Sequence, residues 1–288
     1  MRVPRPVLLV LVCGLVALPI AGSAVILQPD DTAVAEAPVL ETPSPEIAPR
    51  ATVEAAPEST AEAAPEATPD AAPVVPAGMA PIGALFSGDG HYCTASVVHS
   101  NAGDLVLTAA HCLHEGEGGD YIDDISFAPG YHDGIAPYGM WTAVKTLVAP
   151  GWIESSDPDL DVGFITVRQN GNPHPIESVT GANELGIARG FDNQITLTGY
   201  PDDAEAPVVC TNTTARESEF QMRVDCAGFP DGTSGGPWVT GTDPATKLGT
   251  VIGVIGGYQF GGDEADTSYS SYFDTDVQSL YAQGTALG

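Results

Sequence analysis

The chain has 288 residues, a hydrophobic fraction of 43% and a formal net charge of −29. This length suffices for one sizeable domain or two small ones, and the hydrophobic fraction is typical of a globular protein. So large a negative charge repels phosphate backbones and anionic lipids, which argues against nucleic acid and anionic membrane surfaces as partners.

The first 24 residues have the pattern of a secretory signal peptide. Two arginines precede an apolar run over 7–20, and small residues follow at 21–24. This order of charged, apolar and small segments predicts a cleaved signal peptide over 1–24 and therefore a secreted protein. The alternative is an uncleaved membrane anchor at the cell surface, because 7–27 is just long enough to span a bilayer.

Residues 25–80 are dominated by alanine, proline and acidic residues, with a proline-containing motif repeated at 54–57, 62–65 and 70–73. Frequent prolines interrupt any helix, and the few large apolar side chains cannot offset the entropy of ordering such a segment. We therefore predict a disordered, extended segment. Its composition leaves open whether it is a linker or a propeptide.

From residue 81 onward, short runs rich in valine, isoleucine and threonine are broken by glycine, aspartate, proline and asparagine. This spacing predicts an all-β domain over 81–288, either a single β domain or a pair of barrels. Only one helix is predicted, over 276–283. The predicted strands are 84–86, 92–99, 104–110, 122–128, 141–148, 162–168, 195–199, 207–212, 220–225, 237–240 and 249–255.

Four cysteines remain once Cys13, inside the apolar run, is set aside. They are Cys93, Cys112, Cys210 and Cys226. An even set of cysteines in an exported protein indicates disulfides, and four cysteines allow three connectivities. We expect the sequential pairing, the first with the second and the third with the fourth. The cysteines form no C-x-x-C pair, so we expect no metal site.

The stretch 231–238, with the sequence DGTSGGPW, sets one serine among three glycines. Glycines on both sides of Ser234 allow a backbone geometry that other residues would strain, so amide groups can converge beside the hydroxyl. This is the layout that an oxyanion-stabilising nucleophile loop needs. The same composition is typical of an ordinary turn, so a histidine and an acid elsewhere must decide between the two interpretations.

A histidine and an acid adjoin two of the predicted strands. His111 follows the small residues of the segment 108–110. Asp161 abuts the apolar run 162–165, and an acid at the edge of a strand can turn its charge towards a histidine N–H. Asp159 lies among loop residues, and we therefore favour Asp161 over it as the partner of the histidine.

Three segments together resemble the catalytic signatures of the chymotrypsin-like (trypsin-like) serine peptidases: TAAHC at 108–112, DVGF at 161–164 and GTSGGP at 232–237. The chain order histidine, aspartate, serine is also the order of that family. The segment CTASVV at 93–98 is similar to the family's strand ahead of the histidine, whose cysteine bridges to the one after it. The likeness is closest to the bacterial secreted members.

The resemblance implies two six-stranded antiparallel β-barrels with the active site in the cleft between them, and a short C-terminal helix. It implies that Ser234 is the nucleophile, His111 the general base and Asp161 the residue that orients the base. It further implies that the N–H groups of Gly232 and Ser234 hold the oxyanion. The family uses no cofactor, its substrates are proteins or peptides, and we expect a monomer.

Two positions depart from branches of this family. Thr233 stands where animal members carry an aspartate that pairs with a new N-terminal amine, so we expect no activation switch of that kind. Gly228 stands where the trypsin branch has a pocket aspartate, which argues against a simple preference for arginine or lysine. Gly256, Gly257 and Tyr258 resemble the strand that lines the family's primary pocket. Together with Gly228, they are the candidate pocket residues.

Two functions fit this sequence. The first is a secreted serine endopeptidase that hydrolyses peptide bonds through an acyl-enzyme. The alternative is a catalytically silent binding or adhesion module on the same fold, displayed on the acidic stalk. The complete set of three catalytic residue types favours the enzyme, because silent relatives usually lose at least one of them.

Overall fold

A computed structural model of the chain describes residues 80–88, 90–257 and 264–288. The predicted signal peptide and almost the whole predicted linker lie outside the described residues and stay predictions. In the described part of the chain, no helix combines the length and the apolar composition that crossing a membrane requires.

Six antiparallel strands close into a barrel in the first half of the described chain, in the order β1, β2, β3, β6, β5, β4. Short runs of β-branched and aromatic residues build these strands, as the sequence pattern predicts. The strands are β1 (Ile82–Ser87), β2 (Gly90–Val97), β3 (Leu105–Thr108), β4 (Ser126–Pro129), β5 (Trp141–Val148) and β6 (Gly163–Arg168).

The second half contains two sheets. A five-stranded sheet has the order β7, β13, β12, β8, β9, and a three-stranded sheet has the order β10, β11, β14. Only the pairing of β7 with β13 is parallel among these described strands. The strands are β7 (Glu184–Leu185), β8 (Gln194–Gly199), β9 (Val208–Thr213), β10 (Ala215–Arg216), β11 (Gln221–Asp225), β12 (Pro237–Thr240), β13 (Thr250–Val254) and β14 (Thr267–Ser271).

The all-β class and a closed six-stranded antiparallel barrel are thus confirmed. In the second half the described strands form two sheets, which meet where β13 passes β14. The amide of Val254 donates to the hydroxyl of Ser270 at 3.0 Å, where a regular ladder would use a backbone carbonyl. The two sheets contact each other along this line without forming one continuous ladder.

Three helices and one 3-10 turn complete the described chain. The carboxylate of Asp274 caps the last helix by accepting from the amides of Asp276 and Val277. Val277 and Leu280 of this helix belong to the buried cluster that also contains Phe164 of β6, so the predicted C-terminal helix is confirmed. The elements are α1 (Pro150–Ser155), the 3-10 helix Pro158–Leu160, α2 (Ile176–Thr180) and α3 (Thr275–Thr285).

Buried apolar side chains form three clusters. One fills the closed barrel and includes Phe127, Trp141 and Ile165. Another lies between the sheets of the second half and includes Leu197 and Trp238. The third joins barrel residues to residues of β12, β13 and α3, and therefore holds the two halves together.

Both expected disulfides are present, Cys93 with Cys112 and Cys210 with Cys226. The first joins β2 to the residue directly after His111. The second joins β9 of the five-stranded sheet to the residue after β11 of the three-stranded sheet, and so links two sheets that share no strand ladder.

Replacing Cys93 and Cys112 together by alanine is expected to lower the free energy of unfolding by about 3 kcal/mol, because the bridge restricts the unfolded chain. The sequence separations of the two bridges are similar, 19 and 16 residues, so removing Cys210 and Cys226 makes a matched control for stability. Since Cys112 adjoins His111, only the first variant is expected to lose activity at temperatures where both stay folded. Urea unfolding and peptide hydrolysis measure the two effects, and equal activity of both variants would contradict this expectation.

Candidate active site

His111 and Asp161 meet at one edge of the barrel, after β3 and before β6. The Nδ1 atom of His111 lies 2.7 Å from Oδ2 of Asp161, and the backbone N–H of His111 donates to Oδ1 at 2.9 Å. A third donor, the N–H of Gly257, reaches Oδ2 at 2.8 Å. Asp161 is fully buried, whereas the His111 ring is partly exposed. These donors stabilise the buried carboxylate, which in turn fixes the orientation of the imidazole.

The two neighbouring acids have other partners. Asp157 caps the 3-10 helix by accepting from the amide of Asp159 at 3.1 Å. The carboxylate of Asp159 accepts from Nε2 of Gln221 at 2.8 Å. The structure therefore brings Asp161, and not Asp159, to His111.

Two of the four candidate pocket residues lie directly beside this acid. A Cβ atom at Gly256 would lie 2.7 Å from Oδ2 of Asp161, and one at Gly257 would overlap the side chain of Gln221. Glycine is required at both positions by this close approach of the backbone. Tyr258 lies outside the described residues.

The loop that carries Ser234 packs against the strand that leads to His111. The N–H of Thr94 donates to the carbonyl of Ser234 at 2.7 Å. A Cβ atom at Gly235 would overlap the hydroxyl of Thr108, so only glycine allows the loop to come this close. The sequence places its serine, histidine and acid far apart, and the structure brings them to one edge of the barrel.

Two backbone N–H groups near Ser234 donate hydrogen bonds within the loop. The N–H of Thr233 donates to the carbonyl of Pro230 at 3.2 Å, and the N–H of Gly236 donates to the carbonyl of Thr233 at 3.0 Å. These two N–H groups point into the loop, and they do not serve as donors to a substrate.

A hydrogen bond from a residue outside the serine loop sets the orientation of the Gly232 N–H. The carbonyl of Asp231, in the same peptide group, accepts from the N–H of Asp202 at 3.1 Å. Because the C=O and N–H of a trans peptide point in opposite directions, the N–H of Gly232 faces away from Asp202. Gly232 has a φ of +86°, and a Cβ atom there would overlap the Asp202 backbone, so glycine alone fits.

A family model described as the trypsin-like peptidase domain matches residues 93–254, which is more than half of the chain. The chain belongs to the trypsin-like peptidase family. The predicted resemblance is thereby confirmed, and the chain is classed with the serine peptidases, which are hydrolases.

Solved structures share the fold of this trypsin-like peptidase chain. Protease Anisep from Arthrobacter nicotinovorans is 27% identical with a TM-score of 0.64, over 72% of this chain and 96% of that one. Serine protease AL20, a thermostable enzyme from an extremophilic microorganism, is 24% identical with a TM-score of 0.64, over 74% of this chain and 100% of that one. At the latter identity the likeness shows the fold alone.

A curated relative, the extracellular metalloprotease of Bacillus subtilis, is 30% identical over 111 residues. These residues make up 38% of this chain and 34% of the relative, so the match spans about a third of that protein's length. The name "metalloprotease" belongs to that protein.

One cluster in the described part of this peptidase has metal-ligand residue types close together, namely Cys93, His111 and Cys112. Both cysteines are joined in a disulfide, so neither offers a thiolate to a metal. The Nδ1 atom of His111 is hydrogen-bonded to the carboxylate of Asp161. The cluster is therefore a disulfide beside a histidine that is hydrogen-bonded to Asp161, and it does not offer the ligands that zinc needs.

Thr233 occupies the position of the aspartate that pairs with an N-terminal amine in animal members of the family. Its side chain is fully buried, and its hydroxyl donates to the carbonyl of Pro230 at 2.6 Å. The peptidase loop thus has a neutral internal hydrogen bond at the place where those relatives have an ion pair.

The remaining pocket candidate, Gly228, is exposed and has a φ of +86°, and a Cβ atom there would meet nothing within 4 Å. A side chain at this position would therefore extend into open space.

The pKa values of three tyrosines near the site are raised above that of a free tyrosine. Burial raises the pKa of Tyr92, whose hydroxyl donates to the carbonyl of Cys112 at 2.7 Å. Burial likewise raises the pKa of Tyr200. For Tyr131, burial and then the hydrogen bond to Glu205 raise the pKa to about 12. The surroundings of the nucleophile loop therefore gain no phenolate charge.

Sequence reasoning misses the roles of three residues that shape this site. Thr94 and Asp202 hold the loop that carries Ser234, and the N–H of Gly257 binds Asp161. Asp202 and Gly257 act through backbone N–H groups, which every residue except proline carries. Thr94 belongs to the segment CTASVV, but nothing in that segment indicates that its hydroxyl faces the serine loop.

Proposed function

We propose that the chain is a secreted serine endopeptidase in which Ser234 is the nucleophile, His111 the general base and Asp161 its orienting acid. The 2.7 Å contact between Nδ1 of His111 and the buried carboxylate of Asp161 carries this proposal. The carboxylate accepts, so Nδ1 holds the ring proton and Nε2 keeps its lone pair. An imidazole in this tautomer is ready to take the proton of a serine hydroxyl.

The reaction follows from these roles. Oγ of Ser234 attacks the carbonyl carbon of a peptide bond while Nε2 of His111 takes the hydroxyl proton. The N–H groups of Gly232 and Ser234 stabilise the oxyanion. The C–N bond then breaks, the amine leaves with the proton from His111, and an acyl-enzyme remains. Water attacks the ester by the same steps in reverse order, which releases the acid and regenerates Ser234.

The substrate class and the location are inferred from features of the same chain. A trypsin-like peptidase domain implies a protein or peptide substrate, and the exposed Gly228 carries no charge that would select arginine or lysine. The two disulfides fit an oxidising compartment outside the cytosol. Together with the signal pattern over 1–24, they support export.

The test uses the full chain expressed in a bacterial host and collected from the medium. A fluorophosphonate probe is expected to label the folded protein, peptide mapping is expected to place the label on Ser234, and a diverse peptide pool is expected to be cut. N-terminal sequencing of the same material reports whether 1–24 has been removed. A folded protein that neither reacts with the probe nor cuts peptides would instead support the silent binding module.

A further inference from the structure

Thr94, a residue of β2 with no role in the proposed chemistry, makes hydrogen bonds to both ends of the serine loop. Its N–H donates to the carbonyl of Ser234 at 2.7 Å. Its hydroxyl lies 3.1 Å from the carbonyl of Gly232 and 2.8 Å from the N–H of Tyr200. The side chain is fully buried, so no solvent competes for these bonds.

The donor and the acceptor in each hydrogen bond follow from the chemistry of the groups. The N–H of Tyr200 can only donate, so it occupies a lone pair of the Thr94 hydroxyl. The carbonyl of Gly232 can only accept, so the single hydroxyl proton must point to it. The hydroxyl therefore joins the segment after β8 to the start of the serine loop, and no other orientation satisfies both partners.

These bonds add to the hydrogen bonds within the loop and from Asp202 in restraining this segment. Glycines at 232 and 235 have positive φ angles and would allow many loop conformations. Thr94 holds the carbonyls of Gly232 and Ser234, and the peptide group that carries the N–H of Ser234 lies between these two carbonyls. Fixing both carbonyls limits the rotation of that peptide group, which is how a donor is preorganised before charge develops. The other proposed donor, the N–H of Gly232, is oriented through the bond from Asp202 to the carbonyl of Asp231.

Thr94 is also tied to the histidine side of the site. Its carbonyl accepts from the hydroxyl of Thr108 at 2.8 Å, three residues before His111. The preceding residue, Cys93, is bridged to Cys112, directly after the histidine. One residue of β2 thus connects the segment that carries the base with the loop that carries the nucleophile.

We infer that Thr94 is a positioning residue whose hydroxyl holds the segment from Gly232 to Ser234 in the shape that binds the oxyanion. This inference rests on the proposed function, and it adds a residue that contacts neither substrate nor reacting atoms. It also implies that the serine loop is held in its working shape by uncharged bonds from the first barrel, without an ion pair at Thr233.

The test compares Thr94→Val with Thr94→Ser. Valine keeps the shape and loses the hydroxyl, leaving a buried N–H and a buried carbonyl without their partner, whereas serine restores the hydroxyl. Ser96→Ala is the matched control, because it removes another buried hydroxyl from β2 that bonds to Asn183 and to its own strand. Each variant is measured on the best peptide found in the pool, and with the fluorophosphonate probe.

For Thr94→Val we expect kcat to fall about 10- to 100-fold with KM within about threefold, less than the loss of a whole oxyanion donor. The rate of phosphonylation is expected to fall in parallel. Thr94→Ser and Ser96→Ala are expected to stay within about threefold of the parent chain. Equal losses in all three variants, or a Thr94→Val variant that is merely less heat-stable, would overturn the inference.

A second measurement does not depend on activity. Hydrogen exchange followed by mass spectrometry is expected to show the amides of 231–236 exchanging at least about tenfold faster in Thr94→Val, with Thr94→Ser close to the parent. Unchanged exchange would refute the positioning role. If the parent chain fails to label at Ser234, the proposed function is wrong, and the exchange rates still decide whether Thr94 holds the loop.

Discussion

Ser234→Ala is expected to lower kcat by about 10⁶-fold, the scale found when a serine nucleophile is removed from a triad enzyme. The residues of a triad act as one unit, so adding His111→Ala to this variant is expected to cost little more. A residual rate of about 10³- to 10⁴-fold over water is expected to remain, because the oxyanion donors and the binding cleft are intact. Steady-state hydrolysis of a pool-derived peptide by the single and double variants measures both effects.

The loss of activity can be attributed to the missing hydroxyl only if the Ser234→Ala variant stays folded. Ser234 is buried next to glycines, and alanine adds no atoms, so melting temperature and circular dichroism are expected to match the parent chain. Ser96→Ala is the matched control, because it removes a buried serine hydroxyl that bonds to Asn183 and to its own strand. A loss of only a few fold in Ser234→Ala, or strictly multiplicative losses in the double variant, would contradict the assignment of the nucleophile.

Local sequence patterns predict most of the first barrel, because its strands are runs of Val, Ile, Leu and Thr bounded by turn residues. Each predicted strand overlaps an observed one. The pattern misses β7 and β10, which have two residues each, and β14, whose sequence TSYSS has no apolar run. β14 is buried nevertheless, since its serines pack under the neighbouring sheet, and such tertiary burial leaves no trace in hydropathy.

The candidate site likewise contains residues that the sequence predicts and residues that it does not predict. His111, Asp161 and Ser234 each stand in a short motif whose chain order is informative, so the amino-acid sequence alone suffices to propose all three. The residues that arrange them act across long stretches of chain, as Thr94 does with Gly232, 138 positions away. A contact of this kind depends on how the barrel and the second half pack, and a single sequence contains no signal for it.

Asp161→Asn is expected to lower kcat by about 10⁴-fold while His111 and Ser234 remain in place. The carboxylate accepts from three N–H groups, and an asparagine side chain has one oxygen and one NH₂ for the same donors. With its oxygen towards the backbone N–H of His111, the new NH₂ faces Nδ1. The imidazole then has to carry its proton on Nε2, where it cannot accept the proton of Ser234.

The opposite orientation of the amide would keep the ring bond but would set the new NH₂ against the backbone N–H of His111, a conflict between two buried donors. Either orientation therefore weakens the base. Asp159→Asn is the matched control, because this acid binds Gln221 and not the histidine, and it is expected to change kcat by less than about threefold. Comparable losses in the two variants, or full activity in Asp161→Asn, would show that the buried pair does not orient the base. A loss confined to Asp161→Asn, with an unchanged melting temperature, would place the effect on the histidine tautomer.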